Sequence, residues 1–446
     1  MPTVGEPAGP WPRRVTLGVP ERDTDGDGVA MPDTTDLAEL YRDLHRHPEL
    51  AFAEHRTAGI VAGELRSLGY EVTQGIGGTG VVGVLANGDG PTVLLRADMD
   101  ALPVEERTGL DYASTVTSLD ASGAEVGVMH ACGHDVHTTC LVGAARDLAA
   151  DRGSWTGTLV CLFQPAEEVG AGARAMLDDG LYDRVPRPSV VLGQHVAPLP
   201  AGILAVEPGP AFAASDTLRI TLHGRGAHAS RPQTAVDPVV LAAATILRLQ
   251  TIVAREVPPT EVAVVTVGAV AAGTVANVIG DRAELQVSVR TFSEEVRTRV
   301  LAAIERIARG EAETAAAPRP PDIEVVHSFP AVHNDPDAVE RTRPALASVA
   351  AAVVAPGPVT GSEDVGLLAR AVDAPCVYWL LGGADPALFE RLDDPAAVAA
   401  RVDELPSNHS PHFAPVIEPT LTVGVRALVA AARTWLSPSD QRGDQG

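Results

Sequence analysis

From residue 36 to about residue 200 the chain alternates two hydrophobic periods, and few architectures accommodate both. Leu37, Leu40, Tyr41 and Leu44 recur at three- and four-residue steps, as on one face of a helix, and a second helical stretch runs from Thr57 to Leu68 before Gly69. Then come VVGVLA, TVLLRADMD, GTLVCLFQ (157–164) and SVVLGQHV (189–196), short apolar runs separated by further helical segments. Runs apolar on both faces read as strands buried from both sides, and their alternation with helices predicts a layered α/β domain around a central mixed sheet.

Near residues 208–214 the pattern changes. DTLRITLHG alternates apolar with polar residues, a helix is predicted from Val236 to about Val253, and TEVAVVTVGAV, AELQVSVRTF, a helix over 293–309 and a strand over 323–328 follow. Open-faced strands with helices to one side predict a smaller α+β domain of ferredoxin-like order. After residue 331 the first pattern returns, with helices expected over 336–354 and 418–435 and the strand APCVYWLLGG between them. The expected organisation is therefore a catalytic domain of two segments, 33–212 and 330–437, interrupted by a lid or dimerisation domain, 213–329. Residues 1–32, rich in Pro, Gly and acid, read as a disordered extension, and 438–446 as a disordered tail. Asp23, Asp25 and Asp27 imitate the start of a calcium loop, but its twelfth position is Thr34, where a glutamate is needed.

Composition removes several function classes. All 34 basic residues are arginine, so Schiff-base chemistry, pyridoxal phosphate attachment and a P-loop lysine are excluded. A net charge of −24 argues against nucleic acid or an anionic membrane as partner. Four scattered cysteines make no disulfide framework, the N-terminus lacks a signal peptide's apolar core, and the apolar stretch 262–280 is broken by Thr, Gly and Asn277; a soluble, cytoplasmic protein is expected.

The chemistry concentrates in MHACGHDVH (129–137). Cys132 and His134, one glycine apart, can turn thiolate and imidazole to one point, a pairing that suits a transition metal. The adjacent Glu167 and Glu168 of QPAEEVG follow a strand end, where α/β folds place active sites; a cation taking one leaves the other as general base. His195 ends another apolar strand, and NHSPHF supplies His409 and His412.

Together with GRGAHASRPQTAVDP (224–238), ANVIGDRAELQVSVRTF (276–292), RADMDALP (96–103) and GSED (361–364), these segments resemble, in order, the motifs of the two-metal amidohydrolases. That family includes aminoacylase, carboxypeptidase G-type enzymes, hippurate hydrolase and plant auxin-conjugate hydrolases; the hippurate and auxin-conjugate subgroup, with its Cys-Gly-His loop, fits best. Where the wider family has His-x-Asp, this chain has Arg96-Ala97-Asp98, a departure the subgroup shares. The resemblance implies two divalent ions, zinc or manganese with cobalt as a third candidate. Cys132 would bridge them, with His134 and His195 completing one site and Glu168 and His409 the other. It implies Glu167 as general base, Asp98 as a carboxylate orienting a ligand histidine, and His228 as an oxyanion donor reaching a partner subunit in a homodimer. Asn277 and Arg290 would bind substrate, with Arg290 reading a free carboxylate through its planar fork. The expected activity is hydrolysis of N-acyl amino acids. The rivals are a dipeptidase or aminobenzoyl-glutamate-type hydrolase on the same site, a silent ligand-binding relative, and a cysteine hydrolase using Cys132.

Overall fold

The computed structural model describes residues 34–119, 123–390, 392 and 394–436. The expected extension, the calcium-like aspartates and the C-terminal tail lie outside the described residues. The chain divides into two compact units: one takes the residues up to Ala211 with His333–Gly357 and Val365 onward, the other takes Phe212–Val332 and Pro358–Asp364.

The first unit is built on an eight-stranded mixed sheet in the order Glu71–Ile76, Gly80–Asn87, Gly157–Gln164, Thr92–Asp98, Val190–Pro200, Cys376–Ala384, Ile203–Ala205, Ala352–Val354. The four central strands run parallel, with Asp98 paired to Gln164 and Arg96 to Gly193, so their carboxyl ends share one edge of the sheet. These strands are buried along nearly their whole length, as expected for apolar runs covered on both faces. The helices Thr34–Arg46, His134–Ala150 and Thr420–Leu436 pack into the same core. Gly424 permits the close contact of the last two: a Cβ there would lie 2.6 Å from Cys140 Sγ.

The second unit is a four-stranded antiparallel sheet in the order Ala263–Ala272, Arg282–Thr291, Ala214–His223, Asp322–Phe329, with the helices Pro238–Leu249, Thr251–Glu256 and Glu294–Thr314 sharing its core. The helix expected from Val236 starts at Pro238, because Asp237 caps it by accepting the N–H groups of Val239 and Val240. The stretch Pro238–Glu256 has the length and apolarity of a membrane span. Here Leu241, Ala242, Leu249 and Ile252 are buried in the unit's core, while Val240 and Leu247 stay 64% and 73% exposed.

One expected element is different. The helix predicted over 336–354 ends at Ala347, and Ala352–Val354 forms an edge strand parallel to Ile203–Ala205. The Ala/Val run there fits either period, and the β-branched Val353 and Val354 take the sheet.

Candidate active site

The carboxyl edge of the parallel strands carries the acids, and two turns bring the other donors to it. Asp98 closes its strand; Gln164 closes the neighbouring one and leads through Pro165-Ala166 to Glu167 and Glu168. Cys132 and His134 flank Gly133, whose φ of +83° starts the helix His134–Ala150 and whose missing Cβ would lie 2.3 Å from Val196 Cγ1. Only glycine turns the chain here. His409, at φ +71°, is held by its N–H donating to Ala131 O at 2.8 Å. Asn408 donates to the carbonyls of Cys132 (3.1 Å) and Val196 (3.0 Å), tying this loop to the others.

Two overlapping donor sets result. Potential ligand atoms of Cys132, His134 and His195 all lie within 4.8 Å of one another, and so do those of Cys132, Glu168 and His409. Cys132 Sγ is 3.5 Å from His195 Nε2, and His409 Nε2 is 3.3 Å from Glu168 Oε2. Two ligands at zinc-like bond lengths of about 2.0–2.3 Å in tetrahedral array stand roughly 3.3–3.6 Å apart, so these spacings suit a shared ion. His134 Nε2 and Glu168 Oε1 are buried without a hydrogen-bond partner among the described residues and lie 3.7 Å apart. Buried polar atoms are ordinarily satisfied, and a cation would satisfy both.

Electrostatics points the same way. Burial, then Glu168 and Glu167, holds the Cys132 thiol well above its ordinary range. Burial, with Asp100 and Asp98 adding to it against the pull of His134, raises Glu168 to about 8. His195 is held well below its usual value by burial and His137, hence neutral, as a ligand imidazole must be. Its Nδ1 donates to Val196 O at 2.8 Å, which turns Nε2 toward Cys132. An acid-rich, largely buried donor set of this kind fits divalent cations. The upward shift of Cys132 is also the reverse of what an activated cysteine nucleophile needs.

Further side chains surround the donor sets. Asp98 accepts from His137 Nδ1 at 2.6 Å and from Arg96 Nη1 at 2.6 Å, and stands 3.6 Å from His134 Nε2. His137 Nε2 accepts the Val196 N–H, so both of its ring nitrogens are engaged within the protein. The carboxylate that meets His134 Nδ1, at 3.2 Å, is Asp100, which also accepts the Glu168 N–H at 2.9 Å. The sequence alone assigns no role to Asp100, Asn408 or His137, although each lies inside one of its motifs: RADMDALP, NHSPHF and MHACGHDVH. His412 Nδ1 donates to Arg107 O at 2.8 Å.

His228, Asn277 and Arg290 belong to the second unit. Nδ1 of His228 accepts the Ser230 N–H at 3.1 Å, which leaves the ring proton on Nε2 in the neutral form. Asn277 is exposed, and its backbone carbonyl accepts the Ala229 N–H. Arg290 donates to Ser362 Oγ at 2.6 Å; burial lowers its pKa, and no carboxylate among the described residues offsets that.

A thiol, imidazoles and carboxylates converging on a parallel strand edge suit a divalent metal centre, and with the family membership that follows they make the chain a metal-dependent hydrolase of amide bonds. The chain belongs to Peptidase family M20/M25/M40, whose pattern matches residues 94–432. It is 37% identical to N-acetyl-L-cysteine deacetylase of Bacillus subtilis over 334 residues, covering 74% of this chain and 76% of the relative. It is 42% identical to hippurate hydrolase of Campylobacter jejuni over 289 residues, 64% of this chain and 72% of the relative. A Bacillus subtilis crystal structure described as a dinuclear metal binding peptidase of this family superposes with a TM-score of 0.71 at 32% identity, covering 90% of this chain and 98% of that one.

Proposed function

We propose that the protein hydrolyses the amide bond of N-acyl amino acids, releasing a carboxylic acid and a free amino acid. The observation that carries this reading is the pair of donor sets sharing Cys132, with Glu167 adjoining them. Cys132, His134 and His195 would hold one divalent ion and Cys132, Glu168 and His409 the other, zinc or manganese being the best suited. Such ions supply a polarised carbonyl and a more acidic attacking water. Glu167, 4% exposed, takes the proton from that water and returns it to the leaving amine. Asp100 holds His134 by Nδ1, keeping Nε2 directed at the carboxylates.

In this reading the second unit supplies recognition. Arg290, half-buried without a counter-carboxylate among the described residues, reads the substrate's free carboxylate, with Asn277 beside it in function; His228 Nε2–H stabilises the developing oxyanion. The exposed Val240 and Leu247 and the open edge strand Ala263–Ala272 suit contact with a second copy of the chain. The four cysteines form no disulfide among the described residues, in keeping with a reducing cytoplasm.

The test is a panel of N-acetyl, N-benzoyl and larger N-acyl amino acids, with dipeptides and aminobenzoyl-glutamate, on protein reconstituted with Zn²⁺ or Mn²⁺. Turnover of N-acyl amino acids that chelator abolishes supports the reading. Turnover of dipeptides alone, or none with metal bound, overturns it.

A further inference from the structure

Glu54 stands at the N-terminus of the helix His55–Ser67, yet its side chain makes no cap hydrogen bond there. It is 0% exposed and turned inward. Its Oε1 accepts two backbone N–H groups, from Phe52 at 2.9 Å and from Ala166 at 2.8 Å, and its Oε2 accepts the hydroxyl of Thr79. Phe52 and Ala166 share an unusual property: both are non-glycine residues in the left-handed region, with φ of 62° and 51°. Such conformations persist only where surrounding contacts impose them. One buried carboxylate therefore joins two strained backbone segments more than a hundred residues apart.

The second of these segments is the turn that carries Glu167. Ala166 O accepts from the N–H groups of Ala171 and Gly172, Glu167 O from Gly170, and the Glu168 N–H goes to Asp100. The amides immediately before and after Glu167 are thus each gripped by a buried carboxylate from elsewhere in the chain. The Asp100 contact bears on a donor residue. The Glu54 contact bears on the backbone that sets the direction of Glu167.

We propose that Glu54 is a positioning residue: through the Ala166 N–H it fixes the turn that presents the Glu167 carboxylate to substrate. This rests on Glu167 being the general base. What the arrangement demands of Glu54 is reach rather than charge. Burial raises its carboxyl above the ordinary range, and all three of its partners donate to it as neutral groups. Glutamine meets the same demand, with its carbonyl oxygen on the two amides and its NH₂ donating to the Thr79 hydroxyl. Aspartate keeps the charge but stops one methylene short.

The experiment compares Glu54→Gln and Glu54→Asp in the metal-loaded protein, with kcat and KM on a turned-over N-acyl amino acid, bound metal per chain, and amide hydrogen exchange of the segment 161–172. Glu54→Gln is expected to keep parent-like kcat and a protected Ala166 amide. Glu54→Asp should lose that protection and about 10²-fold in kcat, the loss a displacement of roughly 1 Å brings, with KM and metal content little changed. A Gln variant as slow as the Asp variant would show that charge matters instead, and a protected Ala166 in the Asp variant would show that Glu54 does not hold the turn; either overturns the proposal. Should Glu54→Asp fail to fold, Thr79→Val removes the other anchor of the same carboxylate. Faster exchange at Ala166 with lower kcat then supports the proposal, and parent-like behaviour overturns it. Because exchange is read without turnover, it decides the Glu54 contact even if Glu167→Gln were to leave catalysis intact.

Discussion

Asp100 Oδ1 lies 3.2 Å from His134 Nδ1, on the ring nitrogen opposite the one that faces Glu167 and Glu168. Its other oxygen accepts the Glu168 N–H, so one buried carboxylate orients a donor in each of the two sets. Carboxylates behind ligand histidines fix the tautomer and raise basicity, and losing one typically costs about 10–100-fold in metal affinity. Asp100→Ala should show a loss of that size in chelator competition while the protein stays folded. Unchanged affinity would mean that Asp100 serves only the backbone.

Glu167→Gln keeps shape and removes the base. Bound metal should survive while kcat falls by about 10²–10⁴-fold. Loss of metal would instead make Glu167 a ligand and reverse the roles of the two glutamates.

Arg290 offers a guanidinium whose hydrogen bonds end on Ser362 Oγ and Thr360 O rather than on a carboxylate. Arg290→Ala should raise KM steeply for N-acyl amino acids and little for their amide-capped analogues. Equal effects on both substrate types would remove Arg290 from carboxylate recognition.

The helix that begins at His134 is braced by an ion cluster with its own pH signature. His45 Nδ1 lies 2.6 Å from Asp135 and Nε2 3.1 Å from Glu106, with Tyr41 and Tyr112 against the ring and His130 nearby. Burial opposes the imidazolium, but hydrogen bonds to the two carboxylates prevail and raise His45 to about 9. A raised histidine contributes stability that is complete below about pH 6.5 and lost as pH climbs through 9. Asp135 and Glu106 are lowered, so their contribution is present above the ordinary carboxylate range and is lost in acid. Unfolding free energy should therefore fall by up to roughly 3 kcal/mol between pH 6.5 and 9.5. In His45→Gln that slope should flatten; an identical slope in parent and variant assigns it to other groups.

Legibility from sequence followed the range of the interactions. Cys132 and His134 announce themselves because a metal loop compresses its donors into three residues, and Glu167, Glu168 and His195 because apolar strands point to them. Asp100 and Glu54 were not legible in that way. Each acts on a backbone N–H of the 166–168 turn, and a backbone amide leaves no side-chain signature at position 166 or 168. The edge strand Ala352–Val354 was hidden for another reason: an Ala/Val run satisfies both periods, and its pairing with Ile203–Ala205 decides between them.

His228 carries the last prediction. Among the described residues it belongs to none of the candidate metal-donor groups, and its ring leaves an Nε2–H donor once Nδ1 has accepted from Ser230. If that donor completes an oxyanion site on the partner chain of a two-fold dimer, His228→Ala alone should lower kcat by about 10²–10³-fold. Mixing the inactive His228→Ala and Glu167→Gln proteins then becomes decisive. After subunit exchange, a mixed dimer has one site with both residues intact and one with neither. Equal amounts pair statistically into about half mixed dimers, so about a quarter of all sites should work under isologous pairing. Recovery near that level places His228 in the partner's site. No recovery, with exchange verified by tagged chains, confines His228 to its own subunit or to a structural role in the 227–231 turn.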